Sequence, residues 1–431
     1  MFCVSRGVVM SHNIIIVDGY STGRLYAPKL EELGYHVHHV QSSEVIIDIF
    51  KPSFHAQDYR SNYVFDGNVE ALHAHVRALE PVAILPGAES GVDVSEELCI
   101  AFDLLANEPA LLDSRKSKAE MNDVLEAHGL LTAKQHCFTA TASLETWLGT
   151  LDELHWPVVL KPIDSVASDG LFICDSYDEC LSAAHSLLDK DNLLGKKNTR
   201  ILAQSYLYGA QYIVNVVSRN GQHSVTDVWY TNRTRFERTK QILEDRVLLA
   251  PSNAPVATLS QYVIDSLQAL GIRNGASHVE VMMTPEGPAM IEVNRRPMGG
   301  AMPVDLFEAA LGSNHVYRMI DACLADGPQM TDHLFDYDVA QYMAIVDFTF
   351  QEGGEILHTK GLTYAQSLAS FHSIINAPAL GQRVTKTEDT IAGQGVLCLA
   401  HADQAQLMVD LQVIRQLKAN GELFGVLNHE S

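Results

Sequence analysis

Apolar residues come in short unbroken runs through the first hundred positions. Residues 13–19 read NIIIVDG, a run without a polar face, which predicts a strand buried on both sides and ending in a turn. Ser21 or Thr22 is placed to cap a following helix and Gly34 to end it. A second strand fits 35–40, a helix fits 68–79, and VAILPG from Val82 is another buried strand. This alternation implies a doubly wound α/β unit to about residue 110, with Glu89 just past a strand at the carboxyl edge where such sheets bind ligands.

The pattern then lengthens. Residues 114–128 repeat at helical spacing, with Met121 and Leu125 on one face and Gly129 as a stop. A strand near Gln135, a helix near Leu144 and the strand PVVLKP at 157–162 follow. RILAQSYL (200–207), QYIVNVVS (211–218) and HSVTDVWY (223–230) read as successive strands with turns at Tyr208-Gly209 and Asn220-Gly221. A helix over 258–270 leads into SHVEVMMT and PAMIEVNR, joined through Pro285-Glu286-Gly287. Beyond about residue 330, QYMAIVDFTFQ and GVLCLAH are strands and 403–417 is an amphipathic helix. The expected division is a disordered extension at 1–12, with Met10 a candidate natural start. An N-terminal α/β domain at 13–112, a central domain at 113–330 and a small α+β domain at 331–431 follow.

Charge narrows the possible partners. With 30 Lys and Arg against 53 Asp and Glu, the net charge is -23. That disfavours a nucleic-acid surface, which needs clustered cations, and any anionic ligand must be met by a local pocket of opposite sign. The seven cysteines are scattered and never spaced Cys-x-x-Cys, which points to a reducing compartment and a cytoplasmic protein. No apolar run is long enough for a membrane span.

Against that background a few residues stand out. Glu292 and Asn294 alternate on one face of a strand, Glu280 lies on the strand before it, and the tight turn sets them side by side. Two carboxylates and a carboxamide oxygen suit magnesium, and Arg296 continues the alternation as a fixed cation. Lys161 closes a buried strand before IDSVASDG, a lysine and small-residue loop able to cradle a polyphosphate; an ordinary surface lysine explains it equally well. Lys116 and Lys118, read as the first turn of a helix, oppose its dipole and invite an anion, although solvation also accounts for them. Arg233, Arg235 and Arg238 of TNRTRFER could clamp a carboxylate or phosphate but read by default as a solvated loop, and His278 reads as a packed or surface histidine.

Taken in order, the 13–110 unit, the Lys118 helix, VVLKP with its loop, QSYLYGAQY and HVEV…MIEVNRR resemble the ATP-grasp superfamily. Within it, PGAESGV, LKPIDSVASDG, VNRRPMGG and VDFTFQEGG look most like the L-amino-acid ligases that make dipeptides, such as those of bacilysin- and tabtoxin-type pathways. The resemblance implies an ATP-grasp fold, α/β and α+β. It would comprise an N-terminal doubly wound parallel-sheet domain, a mobile lid subdomain at about 132–210 and a small C-terminal α+β domain. It implies that Lys118 and Lys161 hold the α- and β-phosphates of ATP. The 165–170 loop, with Ser165, Ser168 and Gly170, would close over the γ-phosphate. Gln204, Tyr206 and Leu207 would line the adenine site and Gln211 the ribose. Gln204 and Gln211 stand where the family usually has glutamates, and each keeps an acceptor oxygen.

It further implies that Glu280, Glu292 and Asn294 bind two magnesium ions, for which manganese can substitute. Arg296 would be catalytic and touch the substrate. Glu89 would face the amino group of a first amino acid, whose side-chain pocket Met298, Gly299 and Gly300 would shape. The implied reaction joins two free L-amino acids through an aminoacyl phosphate, releasing ADP and phosphate, and a homodimer is compatible with it. The alternatives are a ligase or carboxylase for another acid and a non-catalytic ATP-binding regulator.

Overall fold

The computed structural model describes residues 12–427 except 153–154, 164–169, 193–194, 196, 237–239, 301, 325–333, 336 and 388–393. The expected disordered extension, His12 apart, and the positions of Ser165 and Ser168 lie outside the described residues. Among those described, no helix is long and apolar enough to cross a membrane.

The first run of isoleucines forms β1 (Asn13–Val17), the inner strand of a parallel sheet. Its neighbours are β2 (His36–Gln41), β3 (Asn62–Val64) and β4 (Ala83–Pro86), in the order β3-β2-β1-β4. Ile14 and Ile16 pack with Tyr26 and Leu30 on one side, while Ile15 and Val17 pack with Leu72, Val76 and Leu98 on the other. Covering both faces is what an unbroken apolar run requires.

Two local expectations change. Neither Ser21 nor Thr22 caps a helix by its side chain; residues 21–25 form a 3-10 turn, and Thr22 Oγ1 instead donates to the carbonyl of Met298 at 2.8 Å. The single helix read over 114–128 is two, Leu112–Lys116 and Lys118–Ala127. Ser117 breaks them by accepting from the backbone N–H of Glu120, an N-cap. Lys116 therefore ends the first helix and pairs with Glu97, and only Lys118 begins the second.

A second, antiparallel sheet carries β5 (Gln135–Phe138), β6 (Val158–Pro162), β7 (Phe172–Cys174) and β8 (Ile201–Ser205), in the order β5-β8-β6-β7. Its period-2 alternation separates two jobs. Phe138, Val158, Leu160, Ile201 and Ala203 pack against the helices Thr141–Leu148 and Tyr177–Leu187. Val159, Lys161, Ile173 and Gln204 line a cleft beyond the opposite face.

The largest sheet has eight antiparallel strands. They are β9 (Ala210–Arg219), β10 (Gln222–Phe236), β11 (Lys240–Leu249), β12 (Gly275–Thr284), β13 (Gly287–Asn294) and β14 (Tyr342–Asp347), then, after β15 (Gly354–His358), β16 (Phe371–Ile375), and, after β17 (Arg383–Val384), β18 (Val396–His401). Their order is β13-β12-β9-β10-β11-β14-β18-β16. The strands expected in a separate terminal unit thus continue the central sheet through the β11–β14 pairing. The segment read as a loop, TNRTRF, is the second half of β10, and β11 had no counterpart in the sequence reading. A small sheet, β17-β15 followed by β19 (Gly425–Leu427), and the helix Gln404–Ala419 complete this end.

Where β1 passes β4, Gly87 allows backbone to touch backbone. A methyl group there would stand 2.5 Å from the Asp18 carbonyl oxygen and 2.6 Å from the Gly19 Cα. Neither can rotate away, so Gly87→Ala is expected to cost about 1–3 kcal/mol, as overpacking does. Thermal denaturation checks this: an unchanged midpoint would contradict the packing described.

Candidate functional site

The cleft between the antiparallel four-stranded sheet and the eight-stranded sheet has a cavity of about 190 Å³. One end is apolar, with Ala133, Val159, Ile173, Met282 and Met290 facing each other. Gln204, Tyr206 and Leu207 border it where the chain passes between the sheets. Gln204 is buried and donates to Gln135 Oε1 at 3.3 Å, and Tyr206 Oη accepts from Gln241 at 2.5 Å. Gly209 makes the crossing tight: a Cβ there would lie 2.0 Å from the Met283 carbonyl oxygen. A flat heterocycle with polar edges fits such a slot.

The other end is ionic. Glu280 and Glu292 stand directly opposite each other on β12 and β13, just before a bulge at Ile291. Like charges so placed repel, so cations must offset them. Lys118 Nζ lies 2.9 Å from Glu292 Oε1, and Arg233 Nη2 lies 3.6 Å from Glu280 Oε2. Gln211 donates to the same Glu280 oxygen at 2.6 Å. Burial raises the Glu292 carboxyl, but Lys118, Lys161 and Arg296 outweigh it and hold the group below the usual carboxylate range. Burial and Lys118 push the Lys161 amine down to about 8, with Glu292 and Glu280 opposing them.

Beneath this lies a polar rung across four strands. Asp227, Asn215, His278 and Asn294 are successive partners on β10, β9, β12 and β13, and all are buried. Asn215 donates to Asp227 at 2.5 Å and accepts from His278 Nδ1 at 2.9 Å. Asn294 donates to the His278 carbonyl at 3.4 Å, which turns its own oxygen outward, 3.5 Å from Arg296. His278 is therefore a packed histidine. Burial, with Arg296 and His315 nearby, holds its ring far below the usual histidine range. His315 completes the layer, accepting from Met298 N–H and donating to the Val216 carbonyl.

Arg296 lies beyond the end of β13, so strand alternation does not aim it. Its neighbour does. Arg295 is committed to Glu96 and Asp93, and Glu96 is also bound by Arg115 at 2.5 and 2.9 Å. Arg296 is left to turn to the opposite side, where its Nε donates to Glu89 at 2.6 Å. The turn after it is fastened to the N-terminal sheet by Thr22 on Met298 and by Ser21 Oγ, 3.4 Å from the Gly300 nitrogen. Met298 itself points into the core, with its sulfur 3.5 Å from Asn215 Nδ2. Gly299 and Gly300 carry the exposed side of the turn.

The structure thus gathers Lys118, Lys161, Gln204, Tyr206, Leu207, Gln211, Glu280 and Glu292 on one cleft, with Asn294, Arg296 and Glu89 at its ionic end. Gly170, with φ +66°, ends the small-residue loop against Pro162 and Leu187, where a side chain would clash. Gln241 also lines the cleft and was missed, and so does Arg233, which the sequence offered only as a weak candidate beside the loop reading. The alternation of Arg233 and Arg235 with polar residues after HSVTDVWY was the available signal, masked by its lack of apolar positions. The acidic pair and the outward Asn294 oxygen form a hard-oxygen donor set that fits magnesium. This set contains two carboxylates, and among the described residues no group of three or more His, Cys, Asp or Glu is placed to hold a metal ion.

A model of the ATP-grasp domain matches residues 154–305. Dapdiamide A synthase of Enterobacter agglomerans is 33% identical over 314 residues, covering 72% of this chain and 73% of that protein. An L-amino acid ligase from Bacillus licheniformis superposes with a TM-score of 0.71 at 16% identity, covering 94% of this chain and 97% of that one. N5-carboxyaminoimidazole synthase from Aspergillus clavatus, in complex with ADP and a ribonucleotide, gives 0.66 at 14% identity over 95% and 100%. These two likenesses concern the fold.

Glu96 offers a test of how the arginines are positioned. Removing it leaves two buried guanidinium groups without their shared carboxylate, so Glu96→Ala is expected to cost about 3–5 kcal/mol. Glu97→Ala, which loses only an exposed partner of Lys116, should stay within about 0.5 kcal/mol. Chemical denaturation of the two variants compares them directly.

Proposed function

We infer that this chain, which belongs to the ATP-grasp family, is an ATP-dependent ligase that joins two L-amino acids through an aminoacyl phosphate. The observation that carries the reading is the convergence at one end of the cleft. Two lysines and two opposed carboxylates meet there beside an arginine whose guanidinium is held by Glu89. A mere nucleotide binder has no need of the last pair. The similarity to a dapdiamide synthase, a ligase of the same superfamily, supports it.

In this reading the apolar slot holds adenine, Gln204 and Gln211 offer polar groups to base and ribose, and Lys118 and Lys161 draw in the phosphates. Glu280, Glu292 and Asn294 would hold magnesium, which supplies charge neutralisation at the transferring phosphoryl group. The carboxylate of the first amino acid attacks the γ-phosphorus; a new O–P bond forms, the β–γ bridge breaks and ADP leaves. Glu89 receives that amino acid's ammonium group. The amine of the second amino acid then attacks the acyl carbon, the C–N bond forms, and phosphate leaves as the C–O bond breaks. Arg296 stabilises the oxyanion that develops between these events. The four-stranded sheet and its helices act as the lid that excludes water from the acyl phosphate.

Phosphate release in the presence of pairs of free amino acids, with mass analysis of the products, tests this reading. The expected product is a dipeptide formed one-for-one with ADP. Arg296→Ala should retain ATP binding and lose dipeptide formation by about 100–1,000-fold, the usual effect of removing an oxyanion donor. Undiminished turnover would remove Arg296 from the chemistry.

A second expectation concerns pH. Bound phosphates raise the pKa of Lys161, so above about 8 the free protein must take up a proton to bind ATP. Affinity should therefore weaken as pH rises past that point, by up to about tenfold per unit. Calorimetry at pH 8.5 in buffers of different ionisation enthalpy should show proton uptake that Lys161→Met abolishes.

A further inference from the structure

Peptide-bond formation consumes one α-carboxylate and leaves the other intact. If the ligase reading holds, the amine-donating amino acid brings an anion that must be seated in a protein of net charge -23, away from the acyl phosphate. We propose that Arg246, on β11, is the seat for this second α-carboxylate.

Arg246 is buried, opposite Thr231 on β10 and Ile345 on β14. Its guanidinium is poorly satisfied. The Nη2 atom lies 3.4 Å from both oxygens of Asp347, too far for a charge-assisted fork, and the buried Nε has no hydrogen-bond partner. The next residue back shows what a purely structural pair looks like in this sheet. Asp245 takes two close bonds from Arg415, at 2.7 and 2.9 Å. Arg246 meets Asp347 through one nitrogen only, and more loosely. Burial raises the Asp347 carboxyl above the usual carboxylate range, against the opposing pull of Arg246 and Lys418.

Two glycines flank Arg246 and Arg296. A Cβ on Gly300 would lie 3.8 Å from both terminal nitrogens of Arg246, and one on Gly299 would lie 3.6 Å from Arg296 Nη1. The two glycines are a strip of backbone with one arginine on either side. Gly300 has φ +89°, a conformation that a side chain resists, so no side chain is expected there. An amino acid lying along it puts its carboxylate on Arg246 and its amine toward the acyl carbon near Arg296. Arg233 does not compete for this role, because it lines the nucleotide cleft beside Glu280.

The test supplies ATP, magnesium, the twenty common amino acids and equal amounts of their amides, with hydroxylamine as a small nucleophile that also traps the acyl phosphate. Products are quantified by mass spectrometry. The wild type should favour free-carboxyl dipeptides over dipeptide amides by about 10–100-fold, the effect of a hydrogen bond to a charged group. Arg246→Gln should erase that preference and lower the ratio of dipeptide to hydroxamate by a similar factor, with Arg246→Lys in between. Equal use of acids and amides by the wild type overturns the proposal without recourse to any variant. A ratio of dipeptide to hydroxamate unchanged in Arg246→Gln also overturns it, since both nucleophiles would then depend on Arg246 alike. Hydroxamate formed without any acid preference sinks Arg246 alone. No hydroxamate from any amino acid sinks the ligase reading, and this seat with it.

Discussion

Two carboxylates facing each other across adjacent strands are an electrostatic problem that the surrounding fold is arranged to offset. Glu280 and Glu292 occupy one register position, where their mutual repulsion would weaken the β12–β13 pairing. The compensation comes from distant parts of the chain: Lys118 from the first turn of a helix, Lys161 from the smaller sheet, Gln211 and Arg233 from neighbouring strands. Closing the cleft and balancing its charge are therefore one structural event. The strongly acidic chain acquires a locally cationic end only because the sheets face each other.

The rung below gives that end its direction. Asp227, Asn215, His278 and Asn294 are bound to one another, to backbone and to Thr226, Trp229 and Arg296, so the amides have one favourable orientation. The outward-turned Asn294 oxygen is the result that matters at the surface. Arg296 is positioned differently, by exclusion. Its neighbour is anchored to Glu96 and Asp93, and Glu89 takes the guanidinium that remains. The N-terminal sheet thus contributes a wall of the site through Glu89, Ser21 and Thr22.

Much of this was legible in the residues. NIIIVDG and VAILPG announce buried parallel strands because nothing polar interrupts them, and Glu-x-Asn-x-Arg after HVEV places its carboxylates by period alone. The failures have equally physical causes. KQILEDRVLL carries charge at positions that face neighbouring ionic partners, so β11 lacked the apolar stripe that marks a strand. TNRTRF escaped for a similar reason: Arg233 lines the cleft and Asn232 donates to Asp245. Ser117 looks like one more helical residue until its hydroxyl is seen to cap Glu120. The pairing of β11 with β14 joins segments about a hundred residues apart, and local pattern carries no trace of it. Met298 was read as lining a pocket, whereas its thioether fills core above Asn215.

The continuity of the eight-stranded sheet bears on how such a chain can diversify. Because β14 hydrogen-bonds directly to β11, the last hundred residues share a backbone ladder with the strand that carries Arg246. Exchange of that segment between relatives would replace the outer support of β11 together with Asp347 and Arg415, and so would disturb the cleft from behind. The Gly299-Gly300 turn is held differently, at Ser21 and Thr22, and pairs with no strand. The long ladder and this turn are thereby independent in their hydrogen bonding.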